Sequence, residues 1–151
     1  MYLFVQSHLP ASIQTYDWWN NQFETEEDDD PFEVPAVFIE ILPYQTLSEG
    51  RLRQRAQITF NLHIGQHLYS RPAKGSKRQT KALDHLKLCD DVFAALSGKN
   101  NNNNISSIKR TGVAPNHNYE GYIVHVHTYQ CGVTTDAAIK NTIPIPEDTP
   151  L

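Results

Sequence analysis

The order of apolar patterns predicts an α+β domain, in which a single mixed or antiparallel β-sheet of about five strands packs against one long helix and a short N-terminal helix. Three stretches carry that expectation. Between Arg53 and Ile64, Ala56, Ile58, Phe60, Leu62 and Ile64 alternate with Arg55, Gln57, Thr59, Asn61 and His63, the period of a strand with one buried face. Leu83, Leu86, Cys89, Phe93 and Leu96 recur at helical spacing, with Val92 and Ala95 widening the stripe. Ile105 to Val113 and Tyr119 to Cys131 then read as two strands joined through Ala114, Pro115, Asn116, His117 and Asn118, residues that form turns.

In chain order, Met1 to Leu9 reads as a short helix with Tyr2, Val5 and Leu9 on one side, which Pro10 must end. Ile13 to Trp19 is rich in β-branched and aromatic residues and predicts a short strand. The acidic run of Glu24, Glu26, Glu27, Asp28, Asp29 and Asp30 cannot pack in a core and predicts a solvated or partner-facing loop. Val37, Phe38, Ile39 and Ile41, within Val34 to Ile41, form a nearly continuous apolar run, as in a strand buried on both faces. Pro35 suits its first position, where a missing N–H is tolerated. Ser70 to Lys81 carries Arg71, Lys74, Lys77, Arg78 and Lys81 with Pro72 and Gly75, a basic loop, after which Thr80 is placed to cap the helix. Gly98 supplies its left-handed stop, and the asparagines from Asn100 to Asn104 make a turn. Residues 1–133 are expected to form one domain, and 134–151, with Pro144, Pro146 and Pro150, an extended C-terminal tail.

Composition narrows the function classes. Hydrophobic residues make up 39% and charged residues 20% of 151, so the chain can build a core. Thirteen Lys and Arg against seventeen Asp and Glu give a formal charge of −4, which argues against a protein that coats nucleic acid. Cys89 and Cys131 fall in expected core elements and read as reduced, buried thiols rather than a disulfide framework. The first residues lack a basic leader and are interrupted by His8 and Pro10, so no signal peptide is expected. No stretch approaches the ~20 apolar residues of a membrane span.

The histidines are the first candidates for chemistry. His125 and His127 stand two apart on a strand and so share a face, and with His63 and Cys131 they suggest a zinc-like set. No recognised ligand spacing completes it, so no metal, cofactor or catalytic residue is assigned. Glu40, in its apolar strand, is the one carboxylate that looks placed, and Arg53 or Arg55 on a neighbouring strand would satisfy it. Lys74, Gly75, Ser76 and Lys77 lack the upstream glycine and strand of a phosphate-binding loop. Cys89, on the apolar stripe of its helix, is better explained by packing than as a nucleophile.

What remains is a chemically quiet α+β domain with charged loops. The stretches Pro35 to Ile41 (PAVFIEI), Gln54 to His63 (QRAQITFNLH), Leu86 to Gly98 (LKLCDDVFAALSG), Ile108 to Arg110 and Tyr119 to Tyr129 (YEGYIVHVHTY) resemble, in type and order, the phage tail-terminator and tail-completion proteins. That resemblance implies a non-enzymatic virion protein, assembled in the host cytoplasm and carried in the tail. Its copies would close into a ring, commonly a hexamer, that caps the tail tube and meets the head-tail connector, with DNA only as passing cargo. The asparagine run and the acidic segment depart from a compact member of that family. The residues expected at a subunit joint or tube bore are Glu26, Glu27, Asp28, Asp29 and Asp30, and Arg71, Lys74, Lys77 and Arg78, because loops of opposite charge can pair between copies. The alternative is a small metal-dependent hydrolase using His63, His125 and His127.

Overall fold

The computed structural model describes residues 1–24, 32–50, 52–67, 77–101 and 104–135. The chain runs through helix α1 (Tyr2–Gln6), strand β1 (Thr15–Trp18), a 3-10 turn (Gln22–Glu24), and strands β2 (Ala36–Ile41), β3 (Thr46–Glu49) and β4 (Arg53–His67). Helix α2 (Lys77–Leu96) and strands β5 (Lys109–Asn116) and β6 (Tyr122–Thr135) follow. The strands form one six-stranded mixed sheet in the order β1–β2–β4–β6–β5, with β3 paired to β4 as well. Only β1 and β2 run parallel; the other pairs are antiparallel. The fold class is therefore the α+β sheet-and-helix arrangement that the apolar patterns predict, with one strand more.

Register decides what each face carries. Ile64 pairs with Val37 and His125, Leu62 with Ile39 and His127, Phe60 with Ile41 and Tyr129, and Ile58 with Cys131, so these side chains share one face. Val5 from α1 and Leu88, Cys89, Val92 and Leu96 from α2 cover that face and close the main core. At five residues α1 is too short to be stable alone. It is held by buried Val5 and by reciprocal hydrogen bonds, in which the Tyr2 hydroxyl donates to the Tyr16 carbonyl (3.2 Å) and the Tyr16 hydroxyl to the Tyr2 carbonyl (3.1 Å).

Among the described residues the opposite face is covered at one end only. There Phe23, Phe38, Tyr122, Val124 and Ala36 form a second core with Trp19, Phe32, Val34 and Tyr119 around it. Phe23 lies against the backbone of β4 at Gly65, where any Cβ would run into its ring. This aromatic lid is why Ala36 to Ile39 are buried on both faces, as expected for that strand. Beyond the lid the face is polar, with Asn61 and Thr59 set opposite Thr128 and Gln130.

Several expected boundaries move for physical reasons. Helix α1 stops at Gln6, short of Leu9, where the Ser7 hydroxyl donates to the Phe4 carbonyl and the His8 ring bonds the same oxygen. Helix α2 starts at Lys77, so Thr80 lies inside it instead of capping it, and Lys77 to Lys81 belong to the helix rather than to a loop. Gly98 ends the helix region at φ 74°, as expected. The phase of α2 is rotated from the expected stripe: His85, Leu88, Cys89, Val92 and Leu96 are buried, whereas Leu83 and Leu86 are exposed at 59% and 48%. Strand β5 begins at Lys109 and runs through Pro115, which an edge strand accepts. Strand β6 runs from Tyr122 to Thr135, past the expected strand end at Cys131, because Thr134 and Thr135 pair with Arg55 and Gln54.

The packing predicts that Leu88→Ala lowers unfolding free energy by roughly 2–5 kcal/mol, whereas Leu86→Ala shifts it by less than ~0.5 kcal/mol. Guanidinium denaturation measures both, and the reverse order would mean that the other flank of α2 faces the sheet. Gly65→Ala should cost roughly 1–3 kcal/mol through displacement of Phe23.

Candidate functional site

The sheet separates the histidines that the sequence suggests as a set. His125 and His127 face the α2 side, because they pair with Ile64 and Leu62. His63 pairs with Val126 and Phe38 and faces the other way. A ligand set of His63, His125 and His127 is therefore excluded: the first is across the sheet from the other two. Cys131 does share their face, but it sits opposite Ile58, further along β6.

A different constellation forms in its place. His85 and Cys89 are one helical turn apart on α2, so both project onto the same stretch of sheet. The His85 Nε2 lies 2.9 Å from the Nδ1 of His125 and 3.6 Å from the Sγ of Cys89. The three donor atoms all lie within 4.8 Å of one another. His85 is completely buried, Cys89 buried and His125 half-buried, so the cluster is enclosed on the helix side. His127 lies fully buried nearby, its Nδ1 3.3 Å from the Tyr129 hydroxyl. Among the described residues the His85 Nδ1 is buried without a hydrogen-bond partner, as is the His63 Nδ1 across the sheet.

Burial sets the protonation states. It lowers the pKa of His85 to about 4, assisted by the charges of His125 and His127. Burial likewise lowers His127 to about 4, assisted by the Arg110 guanidinium. His125 is shifted down by burial and by His117. The Cys89 thiol is pushed up to about 12 by burial, with Asp90 adding to the shift. At neutral pH the cluster is thus uncharged imidazoles and a thiol, which disfavours nucleophilic chemistry by Cys89. His85 is absent from the set that the sequence suggests, since it falls outside the expected apolar stripe of the helix. The available signal was its spacing of four from Cys89.

On the other face Glu40 is partly exposed and is satisfied by neighbours on β4. The Asn61 side-chain amide donates to its carboxylate at 2.9 Å, and the His63 Nε2 lies 3.1 Å away. These groups, and not Arg53 or Arg55, are its partners; Arg55 pairs with Glu49 at 3.3 Å. Burial disfavours the Glu40 carboxylate, but the hydrogen bonds from Asn61 and His63 outweigh it and bring its pKa below the usual value. His63 is itself lowered by burial. It also stacks on Trp19, with ring centroids 3.9 Å apart and planes at 3°. The His63 contact helps to lower Glu40, whereas His63 is lowered by burial against the opposing pull of Glu40; the Thr128 hydroxyl completes the network by donating to Asn61 at 2.9 Å.

Glu26, Glu27, Asp28, Asp29 and Asp30, and Arg71 and Lys74, lie outside the described residues, while Lys77 and Arg78 fall in the first turn of α2. A polar groove of about 520 Å³ runs beside the asparagine turn, lined by Arg55, Gln57, Asn101, Asn104, Ser106 and Thr134 among others, at the far end of β6 from His125. No helix of the described residues is long and apolar enough to cross a membrane. No protein-family model matches the sequence, and no curated protein matches it.

The buried histidines make stability depend on pH in a defined direction. In the unfolded chain they bind protons near 6.5, in the folded, metal-free protein His85 and His127 only near 4. Between those values the unfolded state holds more protons, so stability is full above about pH 6.5 and is lost as pH falls towards 4. Urea midpoints between pH 7 and 5, above the ordinary carboxylate range, should fall steadily; a flat profile would place both imidazoles in water.

Proposed function

We propose that the chain is a non-enzymatic structural subunit of a phage-like tail, whose copies close into a ring at the end of the tail tube, next to the head-tail connector. The observation that carries this reading is a pair of unlike apolar patches at opposite edges of the sheet. At the β1 edge, Trp18 is exposed at 49% and Leu3 at 74%, with the Trp18 ring stacked on Tyr2. At the β5 edge Val113 is exposed at 49%, and Leu86 lies on the same flank of α2 as Phe93, whose ring is covered by Arg110 of β5. Leu83 extends that flank.

Two dissimilar patches on opposite sides suit a head-to-tail contact, which closes into a ring when the rotation between neighbours permits. A two-fold dimer would need one self-complementary patch instead. The edge strands themselves discourage backbone pairing, since β1 has four residues and β5 carries Pro115, Lys109 and Arg110, so side chains would make the joint. The element order that resembles tail terminators supports the same reading, and the tube protein, the connector and passing DNA are the partners it implies. His63, His125 and His127 do not converge on one site, because His63 is on the other face.

Analytical ultracentrifugation of the full chain should give a concentration-dependent closed oligomer. Trp18→Asp and Leu86→Asp should each keep the circular dichroism of the parent and weaken assembly roughly 30-fold or more, the ~2 kcal/mol of a buried aromatic anchor. A parent that stays monomeric throughout would end this reading. Imaging of tailed particles for the ring's position would then separate a tube-end ring from a connector ring.

A further inference from the structure

We infer that His85, Cys89 and His125 form a zinc-binding site that fastens helix α2 to strand β6. The inference does not depend on ring assembly.

The donor set is the first reason. Two imidazole nitrogens and a sulfur, with no carboxylate among them, suit a borderline-soft divalent ion such as zinc and are a poor match to magnesium or calcium. The spacing is the second. In tetrahedral zinc sites, with Zn–N of about 2.0–2.1 Å and Zn–S of about 2.3 Å, two nitrogens stand ~3.3 Å apart and a nitrogen and a sulfur ~3.6 Å. Here the nitrogens are 2.9 Å apart and the His85 nitrogen and Cys89 sulfur 3.6 Å. The Cys89 sulfur and the His125 nitrogen lie within 4.8 Å of each other, so an ion needs a ~0.4 Å opening between the two rings and the sulfur drawn to ~3.6 Å from His125.

The scaffold is the third reason. Residues four apart on a helix present their side chains together, and the facing strand supplies the third ligand. Elsewhere along its buried stripe α2 uses Leu88, Val92 and Leu96, and a leucine at position 85 would continue that stripe. A fully buried imidazole whose Nε2 meets only another histidine and a thiol costs desolvation that packing does not return. A metal bond at Nε2 supplies the missing compensation, and half-buried His125 gives an ion its way in. Three protein ligands leave a fourth position for water.

The test uses the full chain freed of metal by a chelator, with zinc and cobalt chlorides as the probes. Calorimetric titration should show one zinc per chain and a raised thermal midpoint. Cobalt should give tetrahedral d–d absorption with a sulfur-to-metal charge-transfer band, which Cys89→Ser abolishes. His125→Ala, at a half-buried position, serves as the variant least exposed to folding defects. Loss of an outer-shell partner alone weakens metal binding roughly 10–100-fold, so each ligand variant should bind zinc at least about 100-fold more weakly. Parent protein that binds no zinc saturably, or either variant that keeps the parent's affinity, would overturn the site and assign any uptake to surface histidines.

Discussion

The antiparallel ladder between β4 and β6, from Gln54 opposite Thr135 to His67 opposite Tyr122, is the interaction on which the rest of the molecule depends. It sets every cross-sheet neighbour along two long strands. A slip of one residue would turn Phe60, Leu62 and Ile64 out of the core and bring Asn61 and His63 into it. It also places His125 and His127 under α2 and leaves His63 with Trp19 and Glu40 on the far side. Both faces then follow from one register: an apolar side that two helices seal, and a side closed by aromatic rings at one end and polar at the other.

That dependence explains how far the sequence could be read. The alternation in β4 has a long run with a consistent partner, so the pattern and the strand agree. The helix was legible as an element and wrong in phase: Leu83 and Leu86 fit a helical stripe as well as Leu88 and Val92 do. What selects between the two stripes is a histidine, which hydropathy counts against burial. Strand β3 has no apolar signature, being exposed at all four positions, and exists because Gly50, at φ 76°, folds it back onto β4. The histidine set failed for a related reason. Parity along one strand shows that His125 and His127 share a face, but only pairing between strands shows where His63 goes.

Buried imidazoles are used differently on the two sides of the sheet. His63 has a carboxylate partner and a stacked indole, so its burial is compensated by interactions already present. His85 has another histidine and a thiol at its Nε2, each weaker as a hydrogen-bond partner than a carboxylate, while on both rings the Nδ1 is buried without a partner among the described residues. The contrast matters because both rings belong to the same small domain and are excluded from water to a similar degree. The Nε2 of one is committed to a carboxylate; the Nε2 of the other faces a nitrogen and a sulfur.

The strand order carries a consequence for how the chain acquires its structure. Strand β6 is the last strand of the described residues in the chain, yet it lies inside the sheet, between β4 and β5. During synthesis β4 leaves the ribosome with one long edge open, and β5 follows with no neighbour beside it. Neither can be paired until β6 has emerged and entered the gap. The sheet therefore closes from the middle and late, through contacts distant in sequence, which slows folding and prolongs the exposure of apolar strand edges. A nascent chain stopped before Tyr122 would hold most of the core residues and none of the ladder that orders them.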